Sequence, residues 1–309
     1  MMPGFWRELR QNPGDLRVMT NRLGSISNPY YLFPQGGGPR GSFGTFSDLM
    51  PNLRTKDTII LGGVLREQVV VPEYLHDISI IGATNRAYQS TDSGDPIQSL
   101  TRSGGAAWLA PTSPAAATPL IELTKNNAGW KFSNIMFAPP SDAAAIKVTN
   151  WDGSGGIGSS HHIFEDLYFS GGFIGIEDYG GMGFCLVLRS RFRGHSGAGG
   201  GGIVCTSTSN AVPLQNEFLY CDFFDNVNNF IASQQNSKIK HCSFDRATTE
   251  AIDTTWNSGQ GGGNHVVQND FNIVQAQFAP AGNTGGVTGA ADDVWYNYLL
   301  DAVESGQPA

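Results

Sequence analysis

Hydrophobic and polar positions along the chain repeat one short register. A hydrophobe stands five residues before an aromatic anchor, and a small or apolar residue stands two before it. The frame reads "FSNIMF" (Phe132, Ile135, Phe137), "FEDLYF" (Phe164, Leu167, Phe169) and "VLRSRF" (Val187, Ser190, Phe192). It continues as "FLYCDF" (Phe218, Cys221, Phe223), "IKHCSF" (Ile239, Cys242, Phe244), and Val266, Asn269 and Phe271. Successive anchors lie 32, 23, 31, 21 and 27 residues apart, so the interval varies while the register holds. Loops of variable length between equivalent short strands produce that pattern.

A second, weaker strand follows nearly every anchor, at 144–150, 173–179, 201–207, 229–235 and 250–256. Glycine-rich turns such as "WDGSGG" and "WNSGQGGG" separate the strands, and no helical period lies between them. Upstream, "DTIILGG", "REQVVVP" and "DISIIGA" read as opening coils. If each coil is one turn of a solenoid, equivalent strands stack in parallel about 4.8 Å apart. Phe137, Phe169, Phe192, Phe223, Phe244 and Phe271 then form one inward aromatic file. Burying each contributes roughly 1.5–3 kcal/mol.

This strand grammar resembles the right-handed parallel β-helix superfamily over about residues 56–278. That superfamily includes pectate-lyase-like enzymes and many bacteriophage spike and fibre proteins. The resemblance implies an all-β, right-handed, single-stranded parallel β-helix at 51–280. Residues 1–50 lack the repeat and form an N-terminal arm or cap. Residues 281–309 form a C-terminal loop and a short capping helix, with Val294, Trp295, Tyr298, Leu299 and Val303 along one side. The resemblance also implies a homotrimer.

Composition agrees with a β-rich body: 40 glycines and 18 phenylalanines against 15% charged residues. Net charge is −8, unevenly spread, with +3 in residues 1–55 and −11 in the remainder. An acidic body argues against nucleic acid. The basic arm, with Phe5, Trp6, Arg7, Arg10, Tyr30, Tyr31 and Phe33, suits docking on another protein. The N-terminus shows no signal-peptide core, and no apolar run reaches the ~20 residues of a membrane span. Cys185, Cys205, Cys221 and Cys242 form no C-x-x-C pair, which predicts free structural thiols in a reducing compartment.

Glycan cleavage needs two carboxylates about 5–5.5 Å or 6.5–9.5 Å apart. Outward rows beside the anchors run Met136, Tyr168, Arg191, Asp222, Ser243, Asp270 and Asn134, Asp166, Arg189, Tyr220, His241, Gln268. They pair Asp166 with Arg189 and Arg191 with Asp222, as charge matching. The acidic group closest to a catalytic arrangement is Asp222, Asp225 and Asp245. The segment "RGHSG" is similar to the Gly-His-Gly element of polygalacturonase-like enzymes, but the accompanying acidic elements are missing, so His195 inherits no role. His161 and His162 are predicted to point to opposite faces, and no metal or cofactor is expected. Trp151, Tyr168, Tyr179, Tyr220 and Trp256 are the candidates for stacking on sugars.

Three functions fit. The favoured one is a virion protein assembled in the host cytoplasm: a bacteriophage spike, fibre or capsid-decoration subunit that touches other virion proteins and host polysaccharide. The alternatives are a polysaccharide lyase or hydrolase, and a non-catalytic glycan-binding module.

Overall fold

The computed structural model describes residues 29–83, 106–124, 126–149, 159–180, 182–205, 215–231, 236–245, 250–253, 265–272, 287–288, 293–295 and 298–299. Three parallel sheets of ten, nine and eight strands, here A, B and C, form the sides of a solenoid. The chain visits them in turn. One coil runs Ile163–Glu165 in A, Tyr168–Ser170 in B and Ile174–Tyr179 in C; the next runs Leu186–Leu188, Arg191–Arg193 and Gly201–Cys205. The fold is a right-handed parallel β-helix.

The predicted file exists from Phe137 to Phe244, and strand register sets Phe271 next to Phe244. Ring centroids are 5.3 Å apart for Phe137–Phe169, 4.7 Å for Phe169–Phe192 and Phe192–Phe223, and 4.9 Å for Phe223–Phe244. These distances follow the strand spacing of about 4.8 Å. The file begins earlier than the frame indicates: Trp108 stacks on Phe137 at 6.1 Å, and Phe46 meets Trp108 at 5.5 Å. Sheet A contributes a second inward row, Ile59, Ile80, Phe132, Phe164, Val187, Phe218, Ile239 and Val266, all fully buried. Sheet C contributes Ile121, Ile146, Ile176, Ile203, Phe230 and Ile252.

Every side of the coil turns on one residue in the left-handed region. Three residues before the inward residue of sheet A stand Lys56, Asp77, Gly129, His161, Phe184, Gln215 and Asn236, φ between 51° and 73°, and from Gly129 onward this is position −8 counted from the anchor. Position −3 separates A from B with Asn134, Asp166, Arg189, Tyr220, His241 and Gln268, φ between 46° and 56°. Position +2 separates B from C with Gly171, Gly194 and Asp225. From Gly129 onward the corners at −8, −3 and +2 are thus five residues apart, and the return from sheet C takes up the variable length.

Just after these corners a buried backbone N–H points at the next coil where a side chain rather than a strand carbonyl stands opposite, and burial demands a partner for it. The next coil's side chain supplies one. Leu167 N–H donates to Ser190 Oγ (3.3 Å), Cys221 N–H to Cys242 Sγ (3.4 Å) and Cys242 N–H to Asn269 Oδ1 (2.9 Å). At the preceding corner Cys185 N–H donates to Asn216 Oδ1 (2.8 Å) and Asn216 N–H to Ser237 Oγ (3.0 Å). Small polar residues at these places are backbone acceptors. Cys185, Cys221 and Cys242 are buried free thiols; burial pushes Cys185 up to about 12 and Cys221 well above its ordinary value.

Sheet C yields room for the file. A Cβ on Gly175 would lie 2.7 Å from Phe192 Cδ1, and one on Gly202 would lie 2.8 Å from Phe223 Cδ1 and 2.7 Å from Asn229 O. Gly202→Ala is therefore expected to destabilise by about 1–3 kcal/mol in denaturant titration, through overpacking.

Both ends differ from expectation. Tyr30–Leu32 lies within the stretch assigned to the arm, yet pairs in parallel with Thr58–Leu61 and opens sheet A. The short helix Phe46–Leu49, capped by Thr45 Oγ1 accepting from Asp48 N–H, buries Phe46 and Leu49 over that end. At the C-terminus the expected helix is replaced by strands. Asp293–Trp295 pairs with His265–Val267, and Tyr298–Leu299 pairs with Asp270 and Phe271. Val294 and Leu299 are five apart, so they satisfy the frame, with an aliphatic residue at the anchor.

Candidate functional site

The candidate site is the outer face of sheet B with the A/B corner beside it. Side chains alternate along each strand, so residues flanking the buried Phe file point outward. Register sets Tyr168, Arg191, Asp222 and Ser243 in one row, and Ser170, Arg193, Phe224 and Asp245 in the next.

Charges on this face are matched from coil to coil. Arg191 Nε is 2.9 Å from Asp222 Oδ2, and Arg193 Nε is 3.8 Å from Asp225 Oδ2. The Arg193 guanidinium also lies 5.1 Å from the Phe224 ring centre, a cation–π contact. Of the three candidate acids, Asp222 and Asp225 thus stand in ion pairs, and Asp225 is itself a corner residue with φ 57°. Asp245 lies opposite Phe224, one rung and two residues from Asp222, about 8 Å between Cα atoms by strand geometry. The structure brings Asp222 and Asp245 to one face without gathering the three acids around one point.

The Asp166–Arg189 pair also forms, with Arg189 Nε 2.8 Å from Asp166 Oδ1. It belongs to a larger network in which Glu165 meets both Lys131 (2.8 Å) and Arg189 (2.6 Å). Burial raises the Glu165 carboxyl, but the two cations outweigh it and hold the group below its ordinary value. The Asp166 carboxylate, then Glu165, raise Arg189.

Aromatic candidates divide sharply. Tyr168 is only 5% exposed, packed with Ala107, Leu109 and Met136, so no sugar ring can reach its face. Tyr220 is 56% exposed and stacks on His241 at 4.9 Å, both in left-handed geometry. Its neighbour covers one ring face. Tyr179, on sheet C, has the Lys147 ammonium 4.5 Å from its ring centre. Trp151, Trp256, Phe5, Trp6, Arg7 and Arg10 lie outside the described residues. Tyr30 and Tyr31 sit in the first strand of sheet A, and the Tyr30 hydroxyl donates to Asn52 O at 2.9 Å.

His161 and His162 part company as predicted: His161 stacks on Phe184 at 5.1 Å at the surface, and His162 is fully buried. Ser159 Oγ lies 2.7 Å from His162 Nε2, the spacing of a nucleophile and its base. The proton inventory gives another role. Ser159 donates to Asn127 O at 2.6 Å, and Trp130 N–H donates to His162 Nδ1 at 3.2 Å. His162 must then be the neutral Nε2–H tautomer donating to Ser159, a sealed structural relay. Burial, with a smaller contribution from His161, lowers it to about 3. His195 is 1% exposed, and burial lowers it to about 3 as well. Neither ring is accessible to substrate. Among the described residues no three His, Cys, Asp or Glu side chains are grouped to hold a metal ion.

The sequence frame missed the left-handed corners, and with them the pairing of Tyr220 with His241 and of Phe184 with His161. Asn, Asp and Gly at several corner positions were the available signal.

No family model matches the chain, and no curated protein matches it. Solved structures do. The chain is similar to the pectate lyase Pel9A (TM-score 0.56, 13% identity), covering 89% of this chain and 79% of that one. It is similar to the Agl-KA catalytic domain (TM-score 0.52, 13% identity), covering 89% of this chain and 54% of that one. ORF18 of Geobacillus virus E2 aligns at TM-score 0.43 and 10% identity, over 93% of this chain and 64% of that one. At such identities the likeness concerns the fold.

Proposed function

We propose that the chain is a virion structural subunit, a bacteriophage spike, fibre or capsid-decoration protein attached through its N-terminal arm, that contacts host-surface polysaccharide without cleaving it. The observation that carries this reading is the coil-to-coil pairing of Arg191 with Asp222 and Arg193 with Asp225 on the outer face of sheet B. Hydrolysis or elimination assigns different protonation roles to two groups flanking one bond. Guanidinium–carboxylate pairs offer instead a strip of fixed donors and acceptors, with Phe224 beneath Arg193 and the exposed Tyr220 at the adjoining A/B corner. Such a strip suits hydroxyl-rich polymer laid along the solenoid axis.

Polysaccharide cleavage is the second reading, favoured by the diagonal placement of Asp222 and Asp245 on one face. One experiment separates the two. Purified chain is incubated with capsular polysaccharide, and both retention and new chain ends are measured. Retention without new reducing or unsaturated ends is expected, and Arg191→Ala should weaken retention about tenfold, the loss of one charge-assisted hydrogen bond. Release of oligosaccharide that Asp222→Asn and Asp245→Asn abolish would establish the enzyme. Mass spectrometry of purified particles tests the virion assignment, and absence of the chain there would refute it.

A further inference from the structure

We infer that the polymer received by the outer face of sheet B is uncharged: a neutral polysaccharide whose neighbouring hydroxyls bridge the Arg191–Asp222 and Arg193–Asp225 pairs. This ligand class rests on the reading of the strip as a glycan contact. Both members of each pair are open to a ligand. Side-chain exposure is 44% for Arg191 against 42% for Asp222, and 42% for Arg193 against 33% for Asp225. A group that comes within hydrogen-bonding distance of either guanidinium therefore meets a carboxylate at the same time.

Donor and acceptor capacities decide which groups gain from such a surface. A guanidinium only donates and a carboxylate only accepts, whereas a hydroxyl does both. Two neighbouring hydroxyls of one sugar can serve a pair without parting it, one accepting from the Arg191 guanidinium and the other donating to the Asp222 carboxylate. The carboxylate of an acidic sugar can only accept. Against Arg191 it must displace Asp222 or lie beside it, and repulsion between the two carboxylates then cancels most of the attraction to the cation. The ammonium of an amino sugar meets the converse conflict at the guanidiniums.

The balance of charge around the strip points the same way. Arg189, Arg191 and Arg193 follow one another at every second position, a row that by itself would attract polyanions. Arg189 is answered by Asp166 at 2.8 Å and by Glu165 at 2.6 Å, and Glu165 also holds Lys131 at 2.8 Å. This network and the two pairs, together with Asp245 on the same face, set five carboxylates against four cations. Residues 56–309 carry −11 in all, so a polyanion is also repelled before it makes contact.

A matched pair of polymers tests the inference on the full chain. A host-surface polysaccharide that retains the chain is compared with its charge-altered form: primary hydroxyls oxidised to carboxylates where the native polymer is neutral, carboxyls reduced to hydroxymethyl groups where it is acidic. The uncharged form is expected to bind at least about tenfold tighter. Its affinity should change by less than about twofold between about 50 and about 500 mM salt, because no net charge is there to be screened. Asp222→Asn leaves Arg191 without its acid, so it should weaken the uncharged form and strengthen the acidic form, each about tenfold. Asp225→Asn should act in the same direction, and its left-handed corner accepts Asn. Circular dichroism checks that both variants are folded. Three results would overturn the inference while leaving a glycan contact in place: an acidic form bound as tightly as its uncharged counterpart, a tenfold loss of affinity across the salt range, or a folded Asp222→Asn variant with unchanged preference. Retention of no polymer at all would refute the glycan contact itself, and the ligand class would fall with it.

Discussion

Acidification from pH 7 to pH 5 is expected to destabilise the fold by about 4 kcal/mol, before most carboxylates begin to titrate. The groups responsible are His162 and His195, both buried and both lowered to about 3. In the unfolded chain each imidazole titrates near its ordinary value of about 6.5 and takes up a proton as pH falls. In the folded chain neither does. The unfolded state therefore binds more protons, and stability falls as pH falls. The contribution is fully present above about pH 6.5 and is progressively lost down to about pH 3. Each group adds a slope of about 1.4 kcal/mol per pH unit in that window, or about 2 kcal/mol by pH 5.

The cause differs in detail between the two. Protonating His162 would put a hydrogen on Nδ1, against the Trp130 N–H that now donates to it. Protonating His195 would place a cation within a coil corner whose backbone is already held by Asn226, since His195 N–H donates to Asn226 Oδ1 at 3.0 Å. Denaturant midpoints measured every half unit from pH 7 to pH 5 give the slope. His195→Phe should halve it. An unchanged slope in that variant would remove His195 from the account.

The coil interior was legible from sequence because it is where residue types are constrained. The −5 and 0 rows face a space bounded on three sides, so only apolar groups of certain sizes serve, and the frame survives irregular loops. Once the rows were aligned, neighbours on adjacent rungs followed, which is why Asp166–Arg189 and Arg191–Asp222 could be named as pairs. The corners were not legible. What is constant there is a dihedral angle, and Lys56, Asp77, His161, Phe184 and Gln215 share it without sharing chemistry. Trp108 escaped because 28 residues separate it from Ile80, its coil's member in sheet A. The C-terminal segment was ambiguous for a different reason. Apolar residues at 294, 295, 298 and 299 satisfy helical spacing and the five-residue frame together, and only pairing with a preceding coil decides.

At the site, alternation correctly placed Tyr168 on the outer face of sheet B, but an outward direction is not exposure. Ala107, Leu109 and Met136 cover it in a small cluster outside the main core. Charge partners thus follow from register alone, whereas accessibility depends on what lies above the sheet.

Removing one ring from the file should be the most damaging single change. Phe192 lies 4.7 Å from both Phe169 and Phe223, with ring planes within 5° of parallel. Phe192→Ala is expected to cost about 3–5 kcal/mol, towards the upper end. Cavities relax when neighbouring side chains move in, and here the residues facing the ring from sheet C are Gly175 and Gly202, which have none to move. Phe192→Leu should cost clearly less. A double-mutant cycle isolates the fit between ring and glycine. Gly175→Ala in the wild type meets Phe192 Cδ1 at 2.7 Å and Gly202 O at 2.6 Å. In the Phe192→Ala background the first clash disappears and only the second persists. The cost of Gly175→Ala should therefore drop by at least about 1 kcal/mol, a coupling of the size seen between residues in contact. Strict additivity, or a Phe192→Ala cost below about 1 kcal/mol, would mean that the aromatic file and its glycine bed do not hold the coils together.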